Sequence, residues 1–178
     1  MLSNGFAPAS IAFAGDSAGG GLALGSLVKL RDDSAPMPAA ACGFSPVTDL
    51  AITGRTITTN RDADPMVLAE ALQLPAAWYL GSTPATSPYA SPLYADVHGL
   101  PPTLLCAGST EVLLDDSQRL AEKMKSAKVD VDLRIWPDMP HVFQGLGVFL
   151  PEARAAIADA GRFLDARMLR LEGLAKVA

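Results

Sequence analysis

The sequence predicts an α/β fold in which a mainly parallel sheet is flanked by helices. Two observations carry this: short apolar runs of strand length alternate with longer stretches of helical periodicity, and a glycine-rich turn joins the first strand to the first helix. Residues 10–14 (Ser-Ile-Ala-Phe-Ala) form an apolar run that stops at Gly15. A helix over 22–31 follows, with Leu22, Leu24, Leu27, Val28 and Leu30 as its apolar positions. Residues 39–44 read as a buried strand, and 45–65 as a loop rich in Pro, Thr and Asp. A helical stretch over 66–80 is expected to break near Pro75. After a proline-rich irregular segment, 103–107 reads as a strand, 116–127 as a helix, 129–136 as an alternating strand and 151–171 as a closing helix. Four strands leave much of an open parallel sheet's edge uncovered, so the chain is expected to be the later part of a larger fold. The organisation read here is one domain over 1–178.

Composition narrows the function classes. Of the 178 residues, 49% are hydrophobic and only 19% charged, enough to bury a sizeable core. The net charge of −5, with no Lys/Arg cluster, argues against nucleic acid and anionic membrane surfaces as partners. No apolar run approaches the ~18 residues of a membrane span, and the first residues lack a secretory pattern, so a cytoplasmic protein is expected. Cys42 and Cys106 each lie in an apolar run and read as reduced core residues. Two isolated cysteines and two separated histidines offer no metal-ligand spacing, so neither metal nor organic cofactor is expected.

Gly15-Asp16-Ser17-Ala18-Gly19 fits the G-x-S-x-G pattern where that pattern has mechanical meaning, between a strand and a helix. The serine must sit on a strained turn with its hydroxyl projecting from the sheet end, and the positions two before and two after it call for minimal side chains. Gly15 and Gly19 meet that demand. Gly19-Gly20-Gly21 opens the helix with three poor helix formers, each costing roughly 1 kcal/mol against alanine, so a packing or functional gain should offset them. A phosphate loop would need Lys and Ser/Thr where Gly21 and Leu22 stand, and a dinucleotide fingerprint would need glycine at Leu24.

A serine hydroxyl becomes a useful nucleophile when an imidazole takes its proton and a carboxylate orients that imidazole. Of the two histidines, His141 lies late, in a loop after the last strand, whereas His98 lies in a segment that reads as surface. For the acid, Glu111, Asp115 and Asp116 compete in the segment after the strand at 103–107, and Asp138 lies nearer His141; the order is Glu111 first, Asp115 second and Asp138 third. Asp115 followed by Gln118 resembles a capping box, which would explain it structurally, and Asp138 follows the last strand rather than the one before it.

With these residues in place the chain resembles the bacterial hormone-sensitive-lipase-like carboxylesterases, the α/β-hydrolase fold-3 family. The carriers are residues 15–20 (Gly-Asp-Ser-Ala-Gly-Gly), 45–50 (Ser-Pro-Val-Thr-Asp-Leu), 108–116 and 137–143 (Pro-Asp-Met-Pro-His-Val-Phe). The resemblance implies that Glu111 occupies the acid position, that Asp115 is structural, and that Asp49 ties down its loop. It implies a serine esterase acting on small short-chain acyl esters through an acyl-enzyme, with Ala18 N–H as an oxyanion donor, and a homodimer as the assembly. It further implies a His-Gly-Gly-Gly oxyanion motif and a cap ahead of the nucleophile, so the sequence reads as N-terminally truncated, with cap and first strands absent. Two other readings of the same residues are an inactive remnant or partner-binding fragment, and an amide or formamide hydrolase using the same triad.

Overall fold

The computed structural model describes residues 5–168. Strands β1 (Ala12–Asp16), β2 (Ala40–Phe44), β3 (Thr103–Gly108) and β4 (Val131–Trp136) form one parallel sheet in the order β1-β2-β3-β4. Helix α1 (Ser17–Asp32) follows β1, α4 (Leu114–Ser126) follows β3, and α5 (Pro151–Asp165) follows β4. The short α2 (Thr56–Thr59) and α3 (Gln73–Leu80) lie in the long connection from β2 to β3.

Burial follows from sheet position. Every residue of β3 and all but the last of β2 are buried, because both strands have neighbours on either side and helices on both faces. The alternation of side chains along these strands separates two cores. Ala41 and Leu105 face Leu24, Leu27 and Val28 of α1 and Leu120, Ala121 and Met124 of α4. Ala40, Cys42 and Leu104 face Ala160 and Phe163 of α5. At the sheet's edges the pattern weakens: no residue of β1 or β4 is fully buried. The expected four strands are therefore present, with pairing on only one side of β1 among the described residues.

The remaining differences have local causes. Helix α1 begins at Ser17 itself, ahead of the expected start at Leu22, and the three glycines lie in its first turns. The expected 66–80 helix resolves into a 3₁₀ turn, Ala69–Leu72, and then α3, with Pro75 in the first turn of α3, where a missing N–H costs nothing. The closing helix ends at Asp165; the last residues of its expected range, 169–171, lie outside the described residues. Cys42 and Cys106 are free and buried, and burial pushes their thiols up to about 12 and about 11. Among the described residues, no helix is long and apolar enough to cross a membrane.

Candidate active site

The sharp turn from β1 into α1 places Ser17 at the carboxyl end of the sheet in the left-handed region, φ 49°, a conformation that costs a non-glycine residue of order 1–3 kcal/mol. Close approaches explain most of the glycines around it. A Cβ on Gly15 would come closer than 3.0 Å to the backbone of Gly19 and Gly20. On Gly20 it would meet Pro46 Cβ at 2.8 Å, and on Gly21 it would collide with the carbonyl of Val47. Gly20 and Gly21 are thus the seat on which the 45–50 loop rests, and Val47 N–H closes the joint by donating to Ser17 O at 3.0 Å. That packing is the gain that offsets the poor helix formers. Gly19 differs from expectation: among the described residues a Cβ there would meet only Asp16 Oδ1, at 3.9 Å. Asp16 stands at the N-cap position of α1 but makes no side-chain capping bond, and its side chain is exposed together with Ala18.

His141 comes from the loop after β4 and is buried. Its Nε2 lies 2.9 Å from Ser17 Oγ, and its Nδ1 lies 3.2 Å from Glu111 Oε2. Glu111, in the turn between β3 and α4, is wholly buried. Its second oxygen, Oε1, accepts from Ser45 Oγ at 2.7 Å and from Gly108 N–H. Arranged this way, Ser17 Oγ can lose a proton to Nε2 while Nδ1–H is held by a carboxylate, the geometry that nucleophilic acyl transfer needs.

The other acid candidates are engaged elsewhere. Asp115 Oδ2 accepts from Arg55 N–H at 2.5 Å, and the expected capping box does not form, because α4 starts at Leu114 and leaves Asp115 within its first turn. Asp138 is exposed, and its N–H donates to Ser109 Oγ. His98 is also exposed and contacts Asp96 Oδ1 at 2.7 Å.

Several supporting residues carry no signature in the sequence. Asn60 Nδ2 donates to the carbonyls of Ser109 and Glu111 at 3.1 and 2.9 Å. Asp64 accepts Val112 N–H at 3.0 Å. Thr56 Oγ1 donates to Val112 O at 2.8 Å and accepts Asp115 N–H at 3.0 Å. The segment around α2 therefore straps down the acid turn from outside. The only hint in the sequence is a loop rich in residues that hydrogen-bond to backbone.

Asp49 anchors its loop: its carboxylate accepts from Ala51 and Thr53 N–H at 3.0 Å each, from Tyr94 OH at 2.9 Å and from Arg119 at 3.0 Å. Burial opposes its charge, yet the bonds from Thr53, Tyr94 and Arg119 hold it below the usual carboxylate range. Its neighbour Asp116 behaves oppositely. Burial pushes Asp116 up to about 7, although Thr48 and Asp49 N–H donate to its Oδ2 at 2.7 and 2.9 Å. A carboxyl that protonates more readily in the folded state stabilises the fold at low pH, and that contribution is lost as pH rises from about 4 through about 7. Asp116→Asn keeps an acceptor for both N–H groups and removes the charge. It is expected to raise the melting temperature at pH 8 more than at pH 5; an equal change at both would contradict the assignment.

Beside Ser17 opens a cavity of about 410 Å³. Gly21, Leu22, Val47, Leu50, Ile52, Ile57, Leu72, Pro75, Ala76, Tyr79 and Leu113 line it, with Ser17 and Ala18 among them. Helix α3 and the turn before it thus wall the space beside the serine. The one carboxylate in the lining among the described residues, Asp49, is already fully engaged. Among the described residues, no group of three or more His, Cys, Asp or Glu side chains is placed to hold a metal ion.

Comparison with known proteins agrees with this architecture. The sequence profile of the α/β hydrolase fold family matches residues 2–145. An acetyl-hydrolase of Streptomyces hygroscopicus is 42% identical over 164 residues, covering 92% of this chain and 55% of its own length. An esterase of Acinetobacter venetianus is 38% identical over 164 residues, with 92% and 54% covered. A crystal structure of an esterase from the bacterial hormone-sensitive lipase family superposes with a TM-score of 0.91 at 48% identity, covering 93% of this chain and 56% of that one. The chain spans about half the length of the curated relatives it matches.

Proposed function

We propose that this chain, which belongs to the α/β hydrolase fold family, carries the catalytic machinery of a serine carboxylesterase for small, neutral, short-chain acyl esters. The observation that carries the reading is the alignment of Ser17 Oγ, His141 and Glu111 through contacts of 2.9 and 3.2 Å. Ser17 Oγ attacks the ester carbonyl carbon while His141 Nε2 takes its proton. Glu111 holds Nδ1–H and stabilises the imidazolium, and Ala18 N–H donates to the oxyanion. Collapse of the tetrahedral intermediate breaks the bond to the alkoxy oxygen, which leaves with the proton from Nε2 as the alcohol. Water then attacks the acyl-enzyme by the same route and releases the carboxylic acid.

The substrate class is supported by the apolar cavity with no free charge beside Ser17 and by relatives described as an acetyl-hydrolase and esterases. We read residues 1–178 as one catalytic domain, the C-terminal portion of the fold, and the family resemblance supports a homodimer as its assembly. Two free, buried thiols fit a reducing compartment, the cytoplasm.

A direct test uses diethyl p-nitrophenyl phosphate. Ser17 Oγ is expected to attack phosphorus, release one equivalent of p-nitrophenolate and leave a diethylphosphoryl group on the peptide containing Ser17, as read by mass spectrometry. A folded chain that gains no adduct, or gains it elsewhere, would sink the proposal.

A further inference from the structure

The serine that closes the second strand's run, Ser45, has a hydroxyl whose bonding direction is settled by its partners. Ser45 is wholly buried. Its Oγ lies 2.7 Å from Glu111 Oε1 and 3.1 Å from the backbone nitrogen of Val142. An amide N–H can only donate, and an ionised carboxylate can only accept. The single hydroxyl proton therefore points at Glu111, while a lone pair of the same oxygen receives Val142 N–H.

Two consequences meet at His141. Glu111 Oε1 is saturated by Ser45 and Gly108 N–H, which turns Oε2 toward Nδ1 of His141. Val142, the residue after His141, is β-branched and left-handed at φ 51°, a rare conformation that persists only when its surroundings hold it. The Ser45 hydroxyl supplies such a hold, and so it grips both ends of the acid–base contact. Ser45 is itself left-handed at φ 47°. Glycine would adopt that backbone without cost, so the turn alone does not call for serine.

We propose that Ser45 is a positioning residue of the site, its hydroxyl fixing the Glu111 carboxylate and the His141 loop relative to one another. The proposal rests on the hydrolase reading above, and its test separates the two. Ser45→Gly, Ser45→Ala and Ser45→Thr are compared in the full chain labelled with ¹⁵N-histidine, which holds only two histidines; His98→Gln assigns the exposed one. In Ser45→Gly and Ser45→Ala the hydrogen-bonded Nδ1 proton signal of His141 is expected to vanish or move upfield while His98 is unchanged. The kcat for p-nitrophenyl acetate should fall roughly 10-fold or more, the consequence of losing one charge-assisted hydrogen bond, with KM little altered. Ser45→Thr restores the hydroxyl at a backbone it dislikes and should recover both readouts in part.

A purely conformational role predicts the reverse order, with glycine above threonine. That order, or an unmoved His141 signal in Ser45→Gly, would overturn the proposal. If the unmodified chain shows no turnover dependent on Ser17, the hydrolase reading fails, and the imidazole signal still decides the role of Ser45.

Discussion

Ser17→Ala is expected to lower kcat/KM for p-nitrophenyl acetate at least roughly 10³-fold, a loss of about 4 kcal/mol of transition-state stabilisation. The argument is one of role. In the proposed mechanism Ser17 Oγ is the atom that bonds to the acyl carbon, and it lies 2.9 Å from the His141 imidazole that would take its proton. Alanine leaves the cavity and the Ala18 N–H in place, so what remains is binding and oxyanion stabilisation alone. His141→Ala should cost a similar amount, because an unactivated hydroxyl is a poor nucleophile. Residues that act as a unit are not additive, so the double variant should be no slower than the slower single one. Multiplying losses would place the two side chains on separate reactions and exclude the proposed mechanism.

Gly108→Ala is expected to be the most damaging single methyl group that can be added to the sheet. Gly108 ends β3, and the backbone of Met139 and Pro140 crosses directly over it; a Cβ would collide with the Met139 carbonyl. Both colliding groups are main chain, so no rotamer change relieves the clash. Either β3 shifts or the His141 loop lifts away. Overpacking of this kind costs about 3 kcal/mol, which in a chain of this size lowers the melting temperature by roughly 6–12 °C. Activity should suffer beyond the loss of stability, since Gly108 N–H also donates to Glu111. Gly161→Ala is the control: it lies in α5 with nothing among the described residues within 4 Å of the added carbon, and it should be neutral or stabilising. Equal melting temperatures for the two variants would refute the packing argument.

How much was legible in the sequence depended on how local the cause was. The central strands could be read because β2 and β3 are buried on both faces and so spell continuous apolar runs. The strained serine turn was readable because it lies within five residues. The seat formed by Gly20 and Gly21 was not, since the object resting on it, Pro46 and Val47, arrives from a separate loop. Asp115 looked like a cap because its true partner, the Arg55 N–H, lies 60 positions away. Ser45, Asn60 and Asp64 were hidden for the same reason: their bonds to the acid turn and the histidine loop join distant positions. A pattern search along the chain sees residue types, whereas these contacts exist only after the sheet has formed.

The strand order has a mechanical corollary. Ser17 hangs from the end of β1 and His141 from the end of β4, with two strands between them. At about 4.8 Å per strand, that is a lateral gap of about 14 Å. The histidine loop therefore runs back across the mouth of the sheet like a tie-rod, bearing on Gly108 and bonded to Ser45 on the way. The contact between His141 and Ser17 thereby spans the width of the whole sheet, so a change in twist at either edge is expected to be felt there although neither residue has been altered.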